Sequence, residues 1–525
     1  MKRWLSMLLG AAFLMLAASC NQSPTLGIKL GTSAISIVRG DQDTVAVTIT
    51  GSGGGPVTLT ISGAPSNVTA ALTDVTLPAG ATSTTLQLQV AAAAAEGSYT
   101  LTVHGTSGGL AASAELTLEI TSLTVNGSVH GLLGDGFPGA KVSIQGMTST
   151  TDASGAFVIG GVSVPYDVAV GVIADSHPVG QLFMGMTTGD PVLTPYGALV
   201  ATAATGYYPT ATVTGNLSAV VPVGSEARVC LEGAGVAIYG CSTVSSGDTA
   251  YSFSAFWKQG SSVTFTLHAL VTQLDANDVP TGYDAYGTAT GSIASGGTAN
   301  VNVTLGAAPS TNVLTLSMNS PAGFDPSSFE AGAEISSNFT MPVLATFTPP
   351  SASLSVPVPQ FGGATYSAMV TASPSGASAA SIGWKQKIPP SSTTTFDLGA
   401  PATLIAPADG ATGIGIGSRL QISSTGGVPV TFIMSDGIGP AIFVTTMDSS
   451  VAIPDLTTVG VFMPAASPYN WSVIMSPTVS NMEHAAETWF SDYYGAILAT
   501  QFGGPGSPLD AGAIMSTAGR DFTTP

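Results

Sequence analysis

Residues 97–103, Gly-Ser-Tyr-Thr-Leu-Thr-Val, place an apolar side chain at every second position from Tyr99 onward. Successive side chains of an extended strand point to opposite faces, so this stretch predicts a half-buried β-strand. The same alternation recurs at 45–49, 57–61, 86–90 and 116–120. Short strands at this spacing, separated by Gly- and Pro-containing turns, are typical of a β-sandwich.

The composition extends this prediction to the whole chain. A length of 525 residues fits three to five domains of ordinary size. With 44% hydrophobic and 8% charged residues the chain is not typical of disorder, and its 64 glycines and 34 prolines indicate many turns. We therefore predict an all-β protein of tandem β-sandwich modules. The net charge of −19 argues against a nucleic-acid partner, because phosphate contacts need Lys and Arg.

The N-terminal segment indicates export. Lys2 and Arg3 precede a largely apolar stretch at 4–18, and small residues then lead into Cys20. This layout predicts a signal peptide over 1–19 and a short tether over 20–26. The cleavage region resembles the lipobox of bacterial lipoproteins. The resemblance implies a lipid on Cys20 as the membrane attachment, with the outer membrane as the destination. Plain secretion is the alternative, because the same small residues also suit an ordinary signal peptidase.

Once Cys20 is assigned to the lipid, two cysteines remain, and they can bond to each other. Cys230 and Cys241 lie eleven positions apart, and an oxidising compartment would allow them to staple a hairpin. We expect a disulfide between them, with two free buried thiols as the alternative.

Two modules near the N-terminus carry family resemblances. Residues 27–121 resemble bacterial immunoglobulin-like repeats through Val57-Thr-Leu59 and the closing Gly97-Ser-Tyr99-Thr-Leu101-Thr-Val103. Residues 122–205 resemble the carboxypeptidase regulatory-like (transthyretin-like) domain through Gly136-Phe-Pro-Gly-Ala140 and Thr151-Asp152-Ala-Ser-Gly155-Ala-Phe157. In enzymes that carry the second module it is accessory to catalysis, so neither resemblance implies an active site.

The rest of the chain continues the β pattern. Residues 206–310 are predicted to form a sandwich that carries the cysteine pair, and residues 311–400 a further one. Residues 401–525 resemble bacterial fibronectin type III-like domains through Pro407-Ala-Asp409-Gly410-Ala-Thr-Gly413 and Tyr469-Asn-Trp471-Ser-Val473. Apolar residues at helical spacing predict one helical insertion at 481–500 within that domain.

Three short motifs could carry chemistry, and each is better explained as structure. Gly105-Thr-Ser107-Gly-Gly109 matches the letters of a hydrolase nucleophile elbow but lies between strands, where a hairpin turn is favoured. Glu483-His484-Ala-Ala-Glu487 fits neither zinc-protease motif and favours a solvated helix face. Asp275-Ala-Asn277-Asp278, with Asp284 nearby, lacks the glycine of an EF-hand and favours a polar turn, although a weak calcium site at the sandwich edge stays open.

The isolated histidines and the aromatic pairs give no ligand set. No two histidines have metal-ligand spacing; they are His104, His130, His177, His268 and His484. Aromatic residues that could stack on a sugar, but are more typical of a core, are Tyr207, Tyr208, Phe256, Trp257 and those at 489–494.

The sequence as a whole therefore predicts a non-enzymatic, lipid-anchored envelope or surface protein that acts as a scaffold or binding protein. It has no predicted cofactor, metal or catalytic residue, and its protein or glycan ligand is unidentified. The alternatives are an accessory component of a carbohydrate- or peptide-degrading system and a sugar- or calcium-binding module.

Overall fold

The computed structural model describes residues 25–525 apart from 52–54, 132–133, 175–176, 197–208, 258–259, 377, 438, 489–494, 498, 502 and 505–508. Its elements are forty strands and a few short helical segments, so the fold is all-β as predicted. The described residues divide into two compact units. One runs to Thr124 and includes 160–165, and the other contains 125–159 and 166–525.

The first unit contains a two-sheet sandwich. Its strands are β1 (Gly27–Leu30), β2 (Ala34–Val38), β3 (Gln42–Thr50), β4 (Val57–Ser62), β5 (Val68–Leu72), β6 (Thr76–Leu77), β7 (Ser83–Val90), β8 (Gly97–Ser107) and β9 (Leu110–Thr121). One sheet has the order β1-β3-β7-β5 and the other β2-β9-β8-β4-β6. The inward residues of both sheets share one core, which includes Val47, Leu59 and Leu101. Strand after strand alternates buried and exposed positions, which confirms the predicted polar outer faces.

The second segment follows, which covers the residues predicted to be transthyretin-like. Its strands are β10 (Leu123–Val129), β11 (Lys141–Ile144), β12 (Met147–Thr150), β13 (Ala156–Val162), β14 (Tyr166–Ala174), β15 (His177–Met186) and β16 (Val192–Leu193). The turn before β13 forms as its sequence predicts. Asp152 Oδ1 accepts backbone hydrogen bonds from Ser154 and Ala156 at 2.8 and 3.0 Å, and Gly155 has a φ of +82°. Phe157 then enters the core.

A third sandwich contains the cysteine pair. Its strands are β17 (Thr210–Asn216), β18 (Ser225–Gly233), β19 (Ile238–Tyr239), β20 (Cys241–Val244), β21 (Ala250–Trp257), β22 (Ser262–Leu274), β23 (Pro280–Ala294) and β24 (Thr298–Asn300). The two sheets, β19-β21-β17-β24 and β20-β18-β22-β23, enclose a core around Val229, Trp257 and Leu267.

The fourth segment is also a sandwich. Its strands are β25 (Thr311–Asn319), β26 (Asp325–Ser336), β27 (Phe339–Thr346), β28 (Ser353–Pro359), β29 (Thr365–Ser373), β30 (Ala380–Ile388) and β31 (Thr393–Asp397). The sheet β28-β25-β31 packs over β27, β26, β29 and β30.

The last segment contains nine strands and a helical insertion. The strands are β32 (Leu404–Ala406), β33 (Ala411–Thr412), β34 (Arg419–Ile422), β35 (Val430–Ser435), β36 (Ala441–Thr446), β37 (Ser450–Ala452), β38 (Pro468–Met475), β39 (Ala511–Ser516) and β40 (Arg520–Thr523). A 3-10 turn spans Thr457–Val459 and helix α1 spans Met482–Glu487. The fully buried Trp471 lies in the core of this segment.

Three of these segments share one sheet, which the sequence does not predict. β15 of the second segment pairs in parallel with β36 of the last segment. β39 pairs with β38 at two positions and along its whole length with β30 of the fourth sandwich. The result is a fourteen-stranded sheet with the order β12-β11-β14-β15-β36-β35-β38-β39-β30-β29-β26-β27, joined by β33 and β40. The strand edges that separate modules would expose are thus paired with each other.

The helical insertion covers the back of this sheet. Asn481 caps α1 by accepting a hydrogen bond from the His484 amide at 2.8 Å. Residues 495–497 and 499–501 are also helical, so helix is confirmed at both ends of the predicted 481–500 insertion. Ala496 packs with Met369, Trp384 and other apolar residues on the sheet face opposite the fourth core.

Candidate functional site at the joint of the third and fourth sandwiches

The outer face of sheet β20-β18-β22-β23 is covered by the fourth sandwich. Residues 267–272 of β22 are all buried, although only every second one faces the core of the third sandwich. The others face the opposite way, and among them Leu270 belongs to the core of the fourth sandwich. Tyr283 of β23 crosses the joint by donating a hydrogen bond to the Pro357 carbonyl at 3.0 Å.

Three ionisable side chains meet at this joint. His268 Nε2 lies 2.9 Å from Glu232 Oε2, and His268 Nδ1 lies 2.7 Å from the Tyr286 hydroxyl. The imidazole also stacks on Phe339 of β27, with ring centroids 4.7 Å apart. The residues come from three adjacent strands, so the sheet itself fixes their spacing.

Burial controls the protonation of this cluster. It lowers the pKa of His268, while the hydrogen bond and charge of Glu232 oppose that effect. Burial also raises the pKa of Tyr286 to about 12, and the charge of Glu232 adds to the rise. At neutral pH the joint therefore holds a neutral imidazole and a neutral phenol. A hydrogen-bonded Glu–His–Tyr chain could relay a proton, but His268 is only 5% exposed, and its stacking on Phe339 connects the third sandwich to the fourth.

The disulfide lies beside this cluster. Cys230 and Cys241 are opposite each other on β18 and β20 and are bonded, which confirms the predicted pair. Gly503 packs directly on them: an added Cβ there would lie 3.2 Å from Cys241 Sγ and 3.0 Å from the Phe339 ring. The segment that follows the helical insertion therefore reaches the joint.

A buried carboxyl lies under the insertion. Glu330 of β26 is 2% exposed and accepts hydrogen bonds from Gln501 Nε2 at 2.8 Å and Thr500 Oγ1 at 3.1 Å. Burial raises the pKa of Glu330, and these two hydrogen bonds oppose the rise. Neither Glu330 nor the Glu232–His268–Tyr286 cluster is predicted from the sequence. The sequence does carry one indication of the cluster. In Leu267-His-Ala-Leu-Val271 apolar and polar residues do not alternate, which indicates a strand that is buried on both faces.

The structure places Ser107 in a hairpin. It is the last residue of β8, pairs with Leu110, and is followed by Gly108 and Gly109, both with positive φ. A two-residue turn of this kind joins antiparallel strands. The strand-turn-helix of a nucleophile elbow is therefore absent at this motif, as expected.

The two glutamates of the helix motif lie in different environments. Glu483 Oε1 accepts hydrogen bonds from the Thr187 amide and hydroxyl at 3.0 and 2.7 Å. Burial by itself raises the pKa of Glu483, but the hydrogen bonds from Thr187 outweigh it and hold the pKa below its usual value. Glu487 is exposed. The motif thus attaches α1 to the sheet, and the predicted solvated face holds for Glu487 but not for Glu483.

The acidic residues of the β22–β23 turn also form local structure. Asp275 Oδ1 accepts from the Asn277 and Val279 amides at 2.8 and 3.0 Å, and Asp278 has a φ of +58°. Asp284 lies further along β23 and bonds Ser225 instead. The turn is polar, as predicted. The described residues bring together no group of three or more His, Cys, Asp or Glu that could hold a metal ion.

The two aromatic candidates that the structure describes, Phe256 and Trp257, are packed against other residues of the protein. Trp257 is 0% exposed and donates its Nε1–H to the Gly260 carbonyl at 3.0 Å, so it is a core residue that cannot stack on a ligand. Phe256 stacks on Tyr239. Tyr207, Tyr208 and 489–494 lie outside the described residues, as does Cys20. None of the helices that the structure describes has the length and apolar character that crossing a bilayer requires.

Comparison with known proteins finds distant structural neighbours only. No protein-family model and no curated protein matches the chain. The Bacillus anthracis TIE protein aligns with 11% identity over 73% of each chain, with a TM-score of 0.24. Domains 4 and 5 of the S-layer protein SbsC align with 16% identity over 19% of this chain and 53% of theirs, with a TM-score of 0.16. An I-band fragment of titin aligns with 8% identity over 67% and 93%, with a TM-score of 0.14. Similarity at this level assigns no family and no function.

Proposed function

We propose that the protein is a non-catalytic, lipid-anchored scaffold of the bacterial cell envelope, attached at the outer membrane through Cys20. Secretion without lipid is the alternative. The observation that supports a scaffold role is the fourteen-stranded sheet, which combines three modules in one compact unit. A sheet paired across modules cannot bend at a linker, so it keeps loops of different modules at fixed spacing.

The helical insertion adds to this role as a brace. At one end the Thr194 amide donates to the Ala486 carbonyl at 2.8 Å, and Thr187 binds Glu483. At the other end Thr500 and Gln501 bind Glu330 of the fourth sandwich. One insertion of the last segment therefore contacts two other segments of the same sheet.

Intact-mass analysis of the mature protein tests the anchor. We expect the loss of residues 1–19 and a diacyl or triacyl adduct on Cys20. An unmodified Cys20 thiol, or retention of residues 1–19 without lipid, would contradict the anchor. Either result would leave the scaffold role untouched, because hydrogen exchange tests that role separately.

Hydrogen exchange tests the brace. Glu483→Ala removes the acceptor of both Thr187 hydrogen bonds, so we expect faster exchange in α1 and at the end of β15. Glu487→Ala is the matched control, because it removes the same charge from an exposed position of the same helix. Equal exchange in the two variants would show that the insertion does not brace the sheet.

A further inference from the structure

A groove of about 420 Å³ opens at one end of the fourth sandwich. It is lined by the turn 360–364 between β28 and β29, by Pro389 and Pro390, which follow β30, and by Ser310 and Asn312 near the start of β25. The groove is distinct from the buried joint, although one of its residues touches that joint.

That residue is Phe361. Its half-buried ring packs on Tyr286 with centroids 4.9 Å apart, so the ring is held in place from below. Pro389 and Pro390, which line the same groove, are exposed. Gly362 and Gly363 continue the turn, and a Cβ at either position would meet no atom within 4 Å. The groove thus combines a fixed aromatic surface with open space beside it.

Hydrogen bonds between the polar side chains of the groove orient them before any ligand binds. Gln360 Oε1 accepts from Ser310 Oγ at 3.0 Å, and Gln360 Nε2 donates to Asn312 Oδ1 at 2.6 Å. Ser391 Oγ donates to the same Asn312 oxygen at 3.2 Å. An amide has two N–H donors and two lone pairs on its oxygen, so this network orients the side chains and leaves them capacity for a ligand. Side chains held in this way lose little entropy on binding.

The charge of the groove restricts the ligand class. None of the described residues that line it is charged, in a protein whose net charge is −19. An anionic ligand would find no Lys or Arg partner there. A purely apolar ligand would leave the remaining N–H groups and lone pairs of the two amides without a partner. A ligand with many hydroxyl groups and an apolar ring face meets both requirements.

We propose that this groove binds a neutral oligosaccharide. One sugar ring stacks on Phe361, and its hydroxyl groups exchange hydrogen bonds with Gln360 and Asn312. Phe361 is not among the aromatic residues that the sequence marks as able to stack on a sugar, and the proposal depends neither on the lipid anchor nor on the brace.

Calorimetric titration of the mature protein with neutral hexasaccharides of glucose, mannose and N-acetylglucosamine tests the proposal. We expect at least one of them to bind. Gln360→Ala and Phe361→Leu should each weaken that binding about tenfold or more, because each removes one contact of the proposed set. The leucine keeps apolar packing on Tyr286, so folding is preserved while the aromatic face is lost.

Phe347→Ala is the control variant. Phe347 is 63% exposed and borders a different groove, so its loss should leave saccharide affinity unchanged. The proposal is overturned if no hexasaccharide binds, if binding survives both groove substitutions, or if an anionic polysaccharide such as polygalacturonate binds more tightly than the neutral ones.

Discussion

The first and third sandwiches are built from the same kind of alternating strand but end in different surroundings. In the first, β9 shows a regular buried–exposed alternation over its last six residues, and the apolar core contains residues of that sandwich alone. In the third, β22 is buried without interruption from Leu267 to Thr272. One strand has a solvated face, whereas the other lies between two cores.

The difference shows where a β protein places its buried polar groups. The outward residues of the first sandwich can be threonine, glutamine or glutamate because water satisfies them. Outward residues of the third must find protein partners, and Glu232, His268 and Tyr286 find each other. Polar groups that would be solvated in an isolated module hydrogen-bond to each other within the third sandwich, and the rings of Phe339 and Phe361 of the fourth sandwich pack against them.

The largest test of this contrast is to remove one aromatic residue from the joint. Phe339→Ala deletes a fully buried ring that packs on His268, and we expect a loss of about 3–5 kcal/mol in the free energy of unfolding. Hydrogen exchange should accelerate in both β22 and β27. Leu59→Ala is the comparison, since it opens a cavity in the first core and should accelerate exchange only there. If Phe339→Ala affects β27 but not β22, the two sandwiches are not coupled through this face.

Removing the disulfide should have the next largest effect. Replacing both Cys230 and Cys241 by Ala frees a loop with a sequence separation of 11, which costs about 3 kcal/mol in the chain-entropy account. Denaturant titration with and without a reductant measures it. The wild type should lose stability on reduction, and the double variant should not respond. If the reductant lowered the stability of both proteins equally, the loss would not come from the Cys230–Cys241 disulfide.

Local pattern predicted much of this fold. The alternation of β3, β7 and β8, the turn at Asp152 and the cysteine pair all depend on residues close together in the chain, and the structure confirms them. Both ends of the helical insertion are also where their sequence pattern places them.

The shared sheet and the joint depend on pairings that local pattern does not contain. The sequence of β39, Ala-Gly-Ala-Ile-Met-Ser, is typical of a short apolar strand. Nothing in it indicates that the partner of β39 is β30. His268 is 36 residues from Glu232 and 18 from Tyr286, so each appears as an isolated polar residue in the sequence. Strand register brings them together, and register is a property of the whole sheet.

The pH dependence of stability separates the joint from the brace, because two buried groups act with opposite sign. Burial holds the pKa of His268 below its ordinary value of 6.5. The unfolded chain therefore takes up this proton first as the pH falls, so stability is lost below about pH 6.5 until the folded pKa is reached. His268→Gln should remove this loss at acid pH.

For Glu330 the sign is reversed. Burial raises its pKa above the ordinary value of 4.5. The unfolded chain therefore loses this proton first as the pH rises, so stability is lost above about pH 4.5 until the folded pKa is reached. Glu330→Gln should remove that loss. Denaturant titrations from pH 4 to 8 on both variants check the pair, and a shift of the same sign in both would contradict the assigned environments.

The smallest expected effect belongs to Ser107 in the first sandwich. Its hydroxyl donates a 3.3 Å hydrogen bond to the Gly55 carbonyl, so Ser107→Ala should lower the stability of this sandwich by about 1 kcal/mol or less. Ser107 lies in a β-hairpin and not in the strand-turn-helix of a nucleophile elbow, so a fluorophosphonate probe should not label the wild-type protein there. Mass spectrometry of the treated protein decides the matter. Labelling of Ser107 would show a nucleophile where the structure has only a turn, and the first sandwich would then no longer be the purely structural member of the comparison.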